Sequence, residues 1–285
     1  MSDLSSLALS RRRFLTGVAG AAGSAVLVPR EAEARATSDL QLELQSFVVP
    51  GLHPAHDGLR IAQLSDLHVG RQTTAEAIRG AVAAANQHLP DLVVLTGDYL
   101  VHDKAGVALM KEQLGGLRAP AIAVLGNHDH WVDAAGAKRT LVGHGYTVLQ
   151  NQHETITLRG EPFTVVGVDD LMTRHADVTK SLAGVPKGSR LVLAHIPHTA
   201  QQLATHGEPM LVLSGHTHGG QVHIPGVTGP LMAAFGREPY ERGRYQVGPI
   251  QLYVNRGVGY SGFAIRVNSP PELTILTLRA PGGRG

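Results

Sequence analysis

Short apolar runs recur along the chain, and most of them end on a polar group. Leu59–Leu64, Leu92–Thr96, Ala121–Leu125, Leu191–Ala194 and Met210–Leu213 are mostly apolar and four to six residues long. Runs of that length, bounded by turn residues, predict buried strands. Gln41–Val49 alternates apolar and polar residues and predicts a strand with one wet face. Helical spacing marks three segments between these strands. Thr74–His88 is rich in Ala and stops before Pro90, Lys104–Leu114 is closed by Gly115-Gly116, and the third is Val132–Gly143. Strand and helix in alternation predict a parallel sheet built from βαβ units. From Tyr146 the texture changes. Tyr146–Leu149, Thr155–Leu158 and Phe163–Val168 predict short strands, with Arg159-Gly160 as a hairpin turn, and Thr199–His206 predicts a short helix. Gln221–Ile224, Ile250–Val254 and Leu273–Leu278 complete the strands, separated by Gly/Pro-rich loops. An α/β architecture of two sheets packed face to face, with helices outside, satisfies this mixture.

The polar groups at the strand ends form an ordered set: Asp66-x-His68, Gly97-Asp98, Gly126-Asn127-His128-Asp129, His195 and Gly215-His216-Thr217-His218. Strand ends of an α/β sheet converge on one crevice, where such folds place their ligands. Carboxylates, imidazoles and one amide, without any thiolate, suit Mn, Fe or Zn. The donors suffice for two ions sharing a bridging carboxylate, an arrangement that hydrolyses phosphate esters. Each piece alone has a plain reading: Gly-Asp is a turn, D-x-H occurs by chance, and a histidine after an apolar strand is hydrogen-bonded filler. The ordered set has no such reading. The amide oxygen of Asn127 can bind a metal without adding charge, which leaves His128 to face substrate. Asp129 is expected to hold that imidazole through one ring nitrogen.

Composition narrows the classes further. With 285 residues, 43% of them hydrophobic, the chain can build one large domain. Net charge is +2, and no Lys/Arg run or basic-aromatic stripe is present, so a dedicated nucleic-acid surface is not indicated. The absence of cysteine excludes disulfides, thiolate metal sites and a cysteine nucleophile. At the N-terminus, Ser10-Arg11-Arg12-Arg13-Phe14-Leu15 resembles a twin-arginine export signal. A short Gly/Ala-rich apolar stretch, Gly17–Val28, and a small-residue cleavage site, Ala32-Glu33-Ala34, follow in order. Residues 1–34 are therefore expected to be a signal and residues 35–285 the functional domain, delivered to the periplasm or the outer face of the cytoplasmic membrane. Retention of the signal as a membrane anchor is the alternative.

The motif set D-x-H, G-D, G-N-H-D, H and G-H-x-H resembles the calcineurin-like metallophosphoesterase superfamily. Gly219-Gly220-Gln221, Asn255-Arg256-Gly257-Val258-Gly259 and Pro270-Pro271-Glu272-Leu273 narrow the resemblance to the bacterial YkuE/YaeI-type phosphoesterases. It runs from about Leu40 to Leu278. The resemblance implies a double β-sandwich flanked by helices. It implies that Asp66, His68 and His218 hold one divalent ion, that Asn127, His195 and His216 hold another, and that Asp98 bridges them. Manganese is the first expectation, with iron or zinc as alternatives. Two positions depart from related patterns. Purple acid phosphatases place a tyrosine ligand three residues after the Gly-Asp aspartate, where this chain has Val101. Related sequences often carry H-x-P-D, where this chain reads His195-Ile196-Pro197-His198.

The expected chemistry is hydrolysis of a phosphodiester or monoester by metal-activated hydroxide. His128 stabilises charge or protonates the leaving oxygen. Arg256 and Arg266 are weaker candidates for phosphate contact, equally readable as surface arginines. A second reading keeps the reaction and makes the substrate a membrane phospholipid or nucleotide-activated glycolipid, with Leu231–Phe235 as a candidate apolar patch and peripheral membrane association. A third is a non-catalytic metal-binding envelope protein, which the intact ligand set and His128 disfavour.

Overall fold

The computed structural model describes residues 40–224, 227 and 239–282. The expected signal, residues 1–34, and the Leu231–Phe235 patch lie outside them. No helix among the described residues is long and apolar enough to cross a membrane.

Two six-stranded mixed sheets carry the fold. The first has the order β1-β12-β2-β3-β4-β5, built from β1 (Gln41–Val48), β2 (Leu59–Leu64), β3 (Leu92–Thr96), β4 (Ala121–Val124), β5 (Thr147–Val148) and β12 (Glu272–Arg279). The second has the order β10-β11-β9-β8-β7-β6, built from β6 (Gln152–Leu158), β7 (Glu161–Val168), β8 (Arg190–Ala194), β9 (Met210–Ser214), β10 (Gly243–Val247) and β11 (Ile250–Val254). Strands β2, β3, β4 and β5 run parallel, as do β7, β8, β9 and β11. The C-terminal ends of β2, β3, β4, β8 and β9 all lead into the sequence motifs.

The two-residue period of a strand explains the layering. Leu59 and Ile61, Leu92 and Val94, and Ile122 and Val124 face the second sheet. There they pack with Phe163, Val165, Leu191, Leu193, Leu211 and Leu213. The alternate residues Val93, Leu95, Ala121 and Ala123 turn outward onto α1 (Ala75–Gln87), α2 (Ala105–Gln113) and α4 (Ala134–Gly143). Val192, Ala194, Met210 and Val212 turn outward on the other side, onto α5 (Val178–Leu182) and α6 (Thr199–Ala204). Both faces of the central strands β2, β3, β4, β8 and β9 are covered, which is why these strands read as continuous apolar runs rather than alternations.

Three expectations are corrected. The helix expected over Val132–Gly143 begins two residues later, as α4, and a separate helix that was not expected, α3 (Asn127–Val132), precedes it. Asp133 breaks them with an extended φ of −165°, and its carboxylate caps α4 through the Gly136 N–H at 2.9 Å. Among the described residues Gln221–Ile224 forms no strand; Val222 makes an isolated bridge with Val267. Strand β10 was not expected, because its sequence, Gly-Arg-Tyr-Gln-Val, offers only two apolar residues, the half-buried Tyr245 and Val247.

Leu276 on β12 is fully buried between the sheets. Leu276→Ala is expected to cost about 2–5 kcal/mol from lost burial and the cavity it leaves. The midpoint of urea unfolding measures this; an unchanged midpoint would show that the inter-sheet layer repacks freely.

Candidate metal centre

The first half of the site comes from the first sheet. Asp66 and His68 follow β2, Asp98 follows β3, and Asn127 opens α3 after β4. All four side chains are buried. Asp66, His68 and Asp98 have φ values of 50°, 44° and 57°, in the left-handed region that few non-glycine residues adopt. His216 and His218, from the second sheet, share it at 74° and 51°. Strained backbone of this kind gathers at functional sites. Glycine makes the approach of the loops possible: a Cβ at Gly126 would stand 2.2 Å from Asp98 Oδ1, and one at Gly215 would stand 1.9 Å from Ser65 Oγ.

The second half comes from the second sheet. His195 follows β8, and His216 and His218 follow β9, with His218 in the 3-10 turn His218–Gly220. The two halves meet in direct contacts. His195 Nε2 lies 3.2 Å from Asp98 Oδ2 and 3.1 Å from Asn127 Oδ1. His216 Nδ1 is 2.9 Å from the same Asn127 oxygen. On the other side, His68 Nε2 lies 2.9 Å from His218 Nε2 and 3.6 Å from Asp98 Oδ2, and His218 Nε2 lies 3.5 Å from Asp66 Oδ1. Asp66 is itself gripped by the His216 N–H at 3.0 and 3.1 Å.

Asp66, His68 and His218 form one trio of donor atoms within 4.8 Å of one another, and Asp98, His195 and His216 form a second. The remaining trio, His68, Asp98 and His128, shares His68 with the first and Asp98 with the second. Nitrogen and oxygen donors in adjoining groups, with Asp98 between them and Asn127 against the second, fit two divalent ions. Metal ligands must be deprotonated. Burial holds His68 and His216 down to about 3, and His218 below its usual range as well, so their lone pairs are available. Burial would also lower His195, but the Asp98 carboxylate outweighs it and pushes His195 up to about 10. Asp98 is correspondingly held low: burial opposes ionisation, and the charge and hydrogen bond of His195 prevail. Burial raises Asp66 to about 6 despite the pull of His195.

Beside these donors opens a cleft of about 660 Å³. Trp131, Leu171, Met172 and Ile196 make it apolar on part of its surface, and His128, His198, Thr217 and Gln221 make it polar elsewhere. Sequence reasoning did not single out Trp131, and it read Gln221 only as part of the Gly219-Gly220-Gln221 motif. Trp131 packs edge-on against His128 with ring centroids 5.0 Å apart and is 59% exposed. Its position four residues beyond Asn127, on one helix, is the signal that could have found it. Tyr99 is turned away from the donors, its hydroxyl facing the carbonyls of Leu95 and Val124.

Three expected roles are corrected. Asp129 does not hold the His128 ring. Its carboxylate accepts the backbone N–H groups of Asp98, Tyr99, Leu100 and Gly126 at 3.0, 2.9, 3.0 and 2.9 Å. It thus joins the β3 and β4 loops and caps α3. The ring is faced instead by the Val101 carbonyl, 3.4 Å from Nδ1. Arg256 is paired with Glu43 at 2.7 Å and Glu272 at 2.8 Å, and does not line the cleft beside the donors. Arg266 donates to the carbonyls of Arg256, Ser269, Gly257 and Gly259 and to His218 Nδ1, behind the donors rather than toward substrate.

Asp129→Ala would orphan four buried N–H donors, each worth about 1–3 kcal/mol when left unpaired. A loss of at least ~3 kcal/mol in denaturant unfolding is expected, against less than ~1 kcal/mol for His128→Ala; equal losses would show that Asp129 is not the clamp. Metal loading near pH 7 is expected to release about one proton per protein, from His195. Calorimetric titration in buffers of different ionisation enthalpy counts it. Heat independent of buffer would show His195 already neutral.

Comparison with known proteins agrees with this geometry. The family model described as calcineurin-like phosphoesterase matches residues 59–220, from the start of β2 to the turn carrying His218. An uncharacterized metallophosphoesterase, YkuE of Bacillus subtilis, is 32% identical over 95% of this chain and 98% of its own length. The phosphodiesterase YaeI of Escherichia coli is 36% identical over 77% of this chain and 82% of its own. A second Bacillus subtilis metallophosphoesterase, YkoQ, is 31% identical over 85% and 91%. A model match over more than half the chain, carrying six of the seven expected ligands within buried donor trios and the seventh, Asn127, against two of them, leaves one conclusion: the protein belongs to the calcineurin-like phosphoesterase family and is a metal-dependent phosphoester hydrolase.

Proposed function

We propose that this hydrolase is a phosphodiesterase of the cell envelope, exported by the twin-arginine route and loaded with two divalent ions, manganese first among them. Asp66, His68 and His218 would hold one ion, Asn127, His195 and His216 the other, and Asp98 would bridge. The observation that carries the dinuclear reading is the placement of Asp98 Oδ2, 3.2 Å from His195 and 3.6 Å from His68, between the two sets of donors. Bound ions would supply Lewis acidity toward the phosphoryl oxygens and acidify water.

The chain's own residues do the rest. Asp98 is fixed by the His128 N–H on Oδ1 at 2.9 Å, which turns Oδ2 toward the imidazoles. His128 lines the cleft with Nδ1 facing the Val101 carbonyl, so in its cationic form it can donate from Nε2 to the leaving oxygen. The diester preference rests on charge. Among the described residues lining the cleft there is no Arg or Lys to balance a monoester dianion, and Arg256 and Arg266 are engaged elsewhere. A diester carries one charge and two organic groups, which suits a partly apolar cleft. The phosphodiesterase YaeI among the relatives supports the same choice.

A second reading, an amphiphilic lipid diester, is favoured by the exposed apolar residues Trp131 and Met172 on the cleft wall. Phe263, 72% exposed, has its carbonyl bound by the cleft residue Gln221 at 2.7 Å.

Metal-stripped protein, reloaded separately with Mn, Fe, Zn or Mg, is expected to hydrolyse bis-p-nitrophenyl phosphate faster than p-nitrophenyl phosphate. His128→Ala should lower kcat by about 10²–10⁴-fold with metal content unchanged, whereas Asp98→Ala should lose metal and activity together. Preference for the monoester would overturn the diester reading. Turnover confined to dispersed phospholipid would choose the second.

A further inference from the structure

The apolar side chains at the open side of the cleft come from two elements. Trp131 is on α3, and Leu171 and Met172 are on the loop that follows β7. Met172 is half exposed and Trp131 more than half. On α3, His128 and Trp131 stand three residues apart and so share a face, and their ring centroids are 5.0 Å apart. His130, between them in sequence, does not line the cleft. It donates from Nε2 to Asp169 Oδ1 at 2.7 Å, at the root of the β7 loop.

That loop is closely tied down. Asp169 Oδ2 accepts from Gln150 at 3.1 Å, and the Asp169 N–H donates to Asn151 Oδ1 at 3.0 Å. The Asp170 carboxylate accepts the N–H and the hydroxyl of Thr173 at 2.7 and 2.8 Å. The His175 N–H donates to the Asp170 carbonyl at 2.9 Å, and the His175 carbonyl accepts from Asn151 Nδ2 at 2.7 Å. The His175 ring stacks on His130, with centroids 4.1 Å apart. Leu171 and Met172 lie in a turn closed by the Arg174 N–H on the Leu171 carbonyl at 3.2 Å, and both line the cleft. The His130–Asp169 bond and the His130–His175 stack thus fix this turn relative to the helix that carries His128 and Trp131.

We infer that Trp131 and Met172 form a subsite for an apolar leaving alcohol, with Trp131 as the specificity-determining residue and His130 as the positioning residue that holds the subsite together through Asp169. On the diester reading above, which the subsite presupposes, the oxygen that takes the His128 proton carries the departing group. The apolar ring packed against His128 is Trp131, so the departing group meets it first. Water supplies the oxygen of the new P–O bond, and the electron pair of the broken one stays on the leaving oxygen. Aryl and alkyl alcohols share the chemistry that this surface recognises: an indole stacks on rings, and a thioether packs against rings or chains.

Trp131 is the single tryptophan of the chain, so its fluorescence reports the subsite without any variant. The Mn²⁺-loaded enzyme is titrated with methyl phenylphosphonate, methyl hexylphosphonate and dimethyl phosphate. A fluorescence change with the phenyl or the hexyl compound that dimethyl phosphate does not produce is expected, and the larger of the two assigns the alcohol as aryl or alkyl. No change with either, or the same change with all three, would overturn the inference. Kinetics then place the subsite. Bis-p-nitrophenyl phosphate and methyl p-nitrophenyl phosphate lose the same alcohol and differ in the group that stays. Trp131→Ala should raise KM for both by about 3–10-fold, the worth of one aromatic contact, with a smaller loss in kcat, and Trp131→Phe should recover most of it. A rise confined to the bis ester would put the staying group in the subsite and overturn the assignment. His130→Leu should raise KM for both esters in the same way, and His130→Gln, which keeps a donor for Asp169, should restore it. A wild-type KM in His130→Leu would overturn the positioning role. Hydrolysis of p-nitrophenyl phosphate but of neither diester would overturn the diester reading; turnover of both diesters with KM unmoved in Trp131→Ala would overturn the subsite alone.

Discussion

The candidate ligands come from two different sheets, so the site exists only while those sheets keep one fixed registry. Apolar packing alone does not set registry to fractions of an ångström, because it is non-directional. Directional bonds do so here. Gln63, fully buried on β2, spans the sheets by donating to Ser214 O on β9 at 2.9 Å and to Thr96 Oγ1 on β3 at 3.1 Å. His195, from the end of β8, donates to Thr96 O at 2.7 Å. Within the first sheet, Asp129 fastens the β3 and β4 loops to each other. In a dry interior these bonds are costly to leave unmade, which makes them effective locators of the strand ends.

Against that fixed frame, the loops carrying the ligands are strained. Five of the seven expected ligands have positive φ, a conformation that Asp and His tolerate better than branched residues but still at a cost. Close glycine contacts at Gly126 and Gly215 let the loops crowd together. The arrangement brings the imidazoles and carboxylates of both sheets within 4.8 Å of one another in each candidate trio. The His195 imidazole lies 3.2 Å from the Asp98 carboxylate, which pushes its pKa up against the effect of burial.

Much of this was legible in the sequence. The buried strands β2, β3, β8 and β9 announce themselves as apolar runs, and the motif residues sit directly after them. What periodicity missed has physical reasons. β10 alternates with only a half-buried face, Tyr245 and Val247, and among the described residues Gln221–Ile224 makes an isolated bridge rather than a strand. Helix α3 was hidden because Asn127-His128-Asp129 carries chemistry and so was not read as a helix start, although an acidic residue three positions after Gly126 is a capping signal. The role of Asp129 was misassigned for the same reason. Imidazoles flank it in sequence, His128 and His130, but its four partners in space are backbone amides. The arginines could not be placed from sequence at all, since Arg256 pairs with Glu43, more than two hundred residues away.

The order of the first sheet has a consequence for how the chain is made. β12, the last strand in sequence, is not at the edge of that sheet. It lies between β1 and β2, parallel to the first and antiparallel to the second. Until residues 272–279 are available, β1 has no neighbour and β2 has one open side. Its residues Leu276 and Leu278 are also missing from the layer between the sheets. A nascent chain therefore cannot close its core progressively from the N-terminus. Completion of the sheet waits for residues 272–279, and the pairing that then forms spans more than two hundred residues, a slow, high-contact-order step. The candidate metal centre, which depends on both sheets, is complete only once that strand is in place.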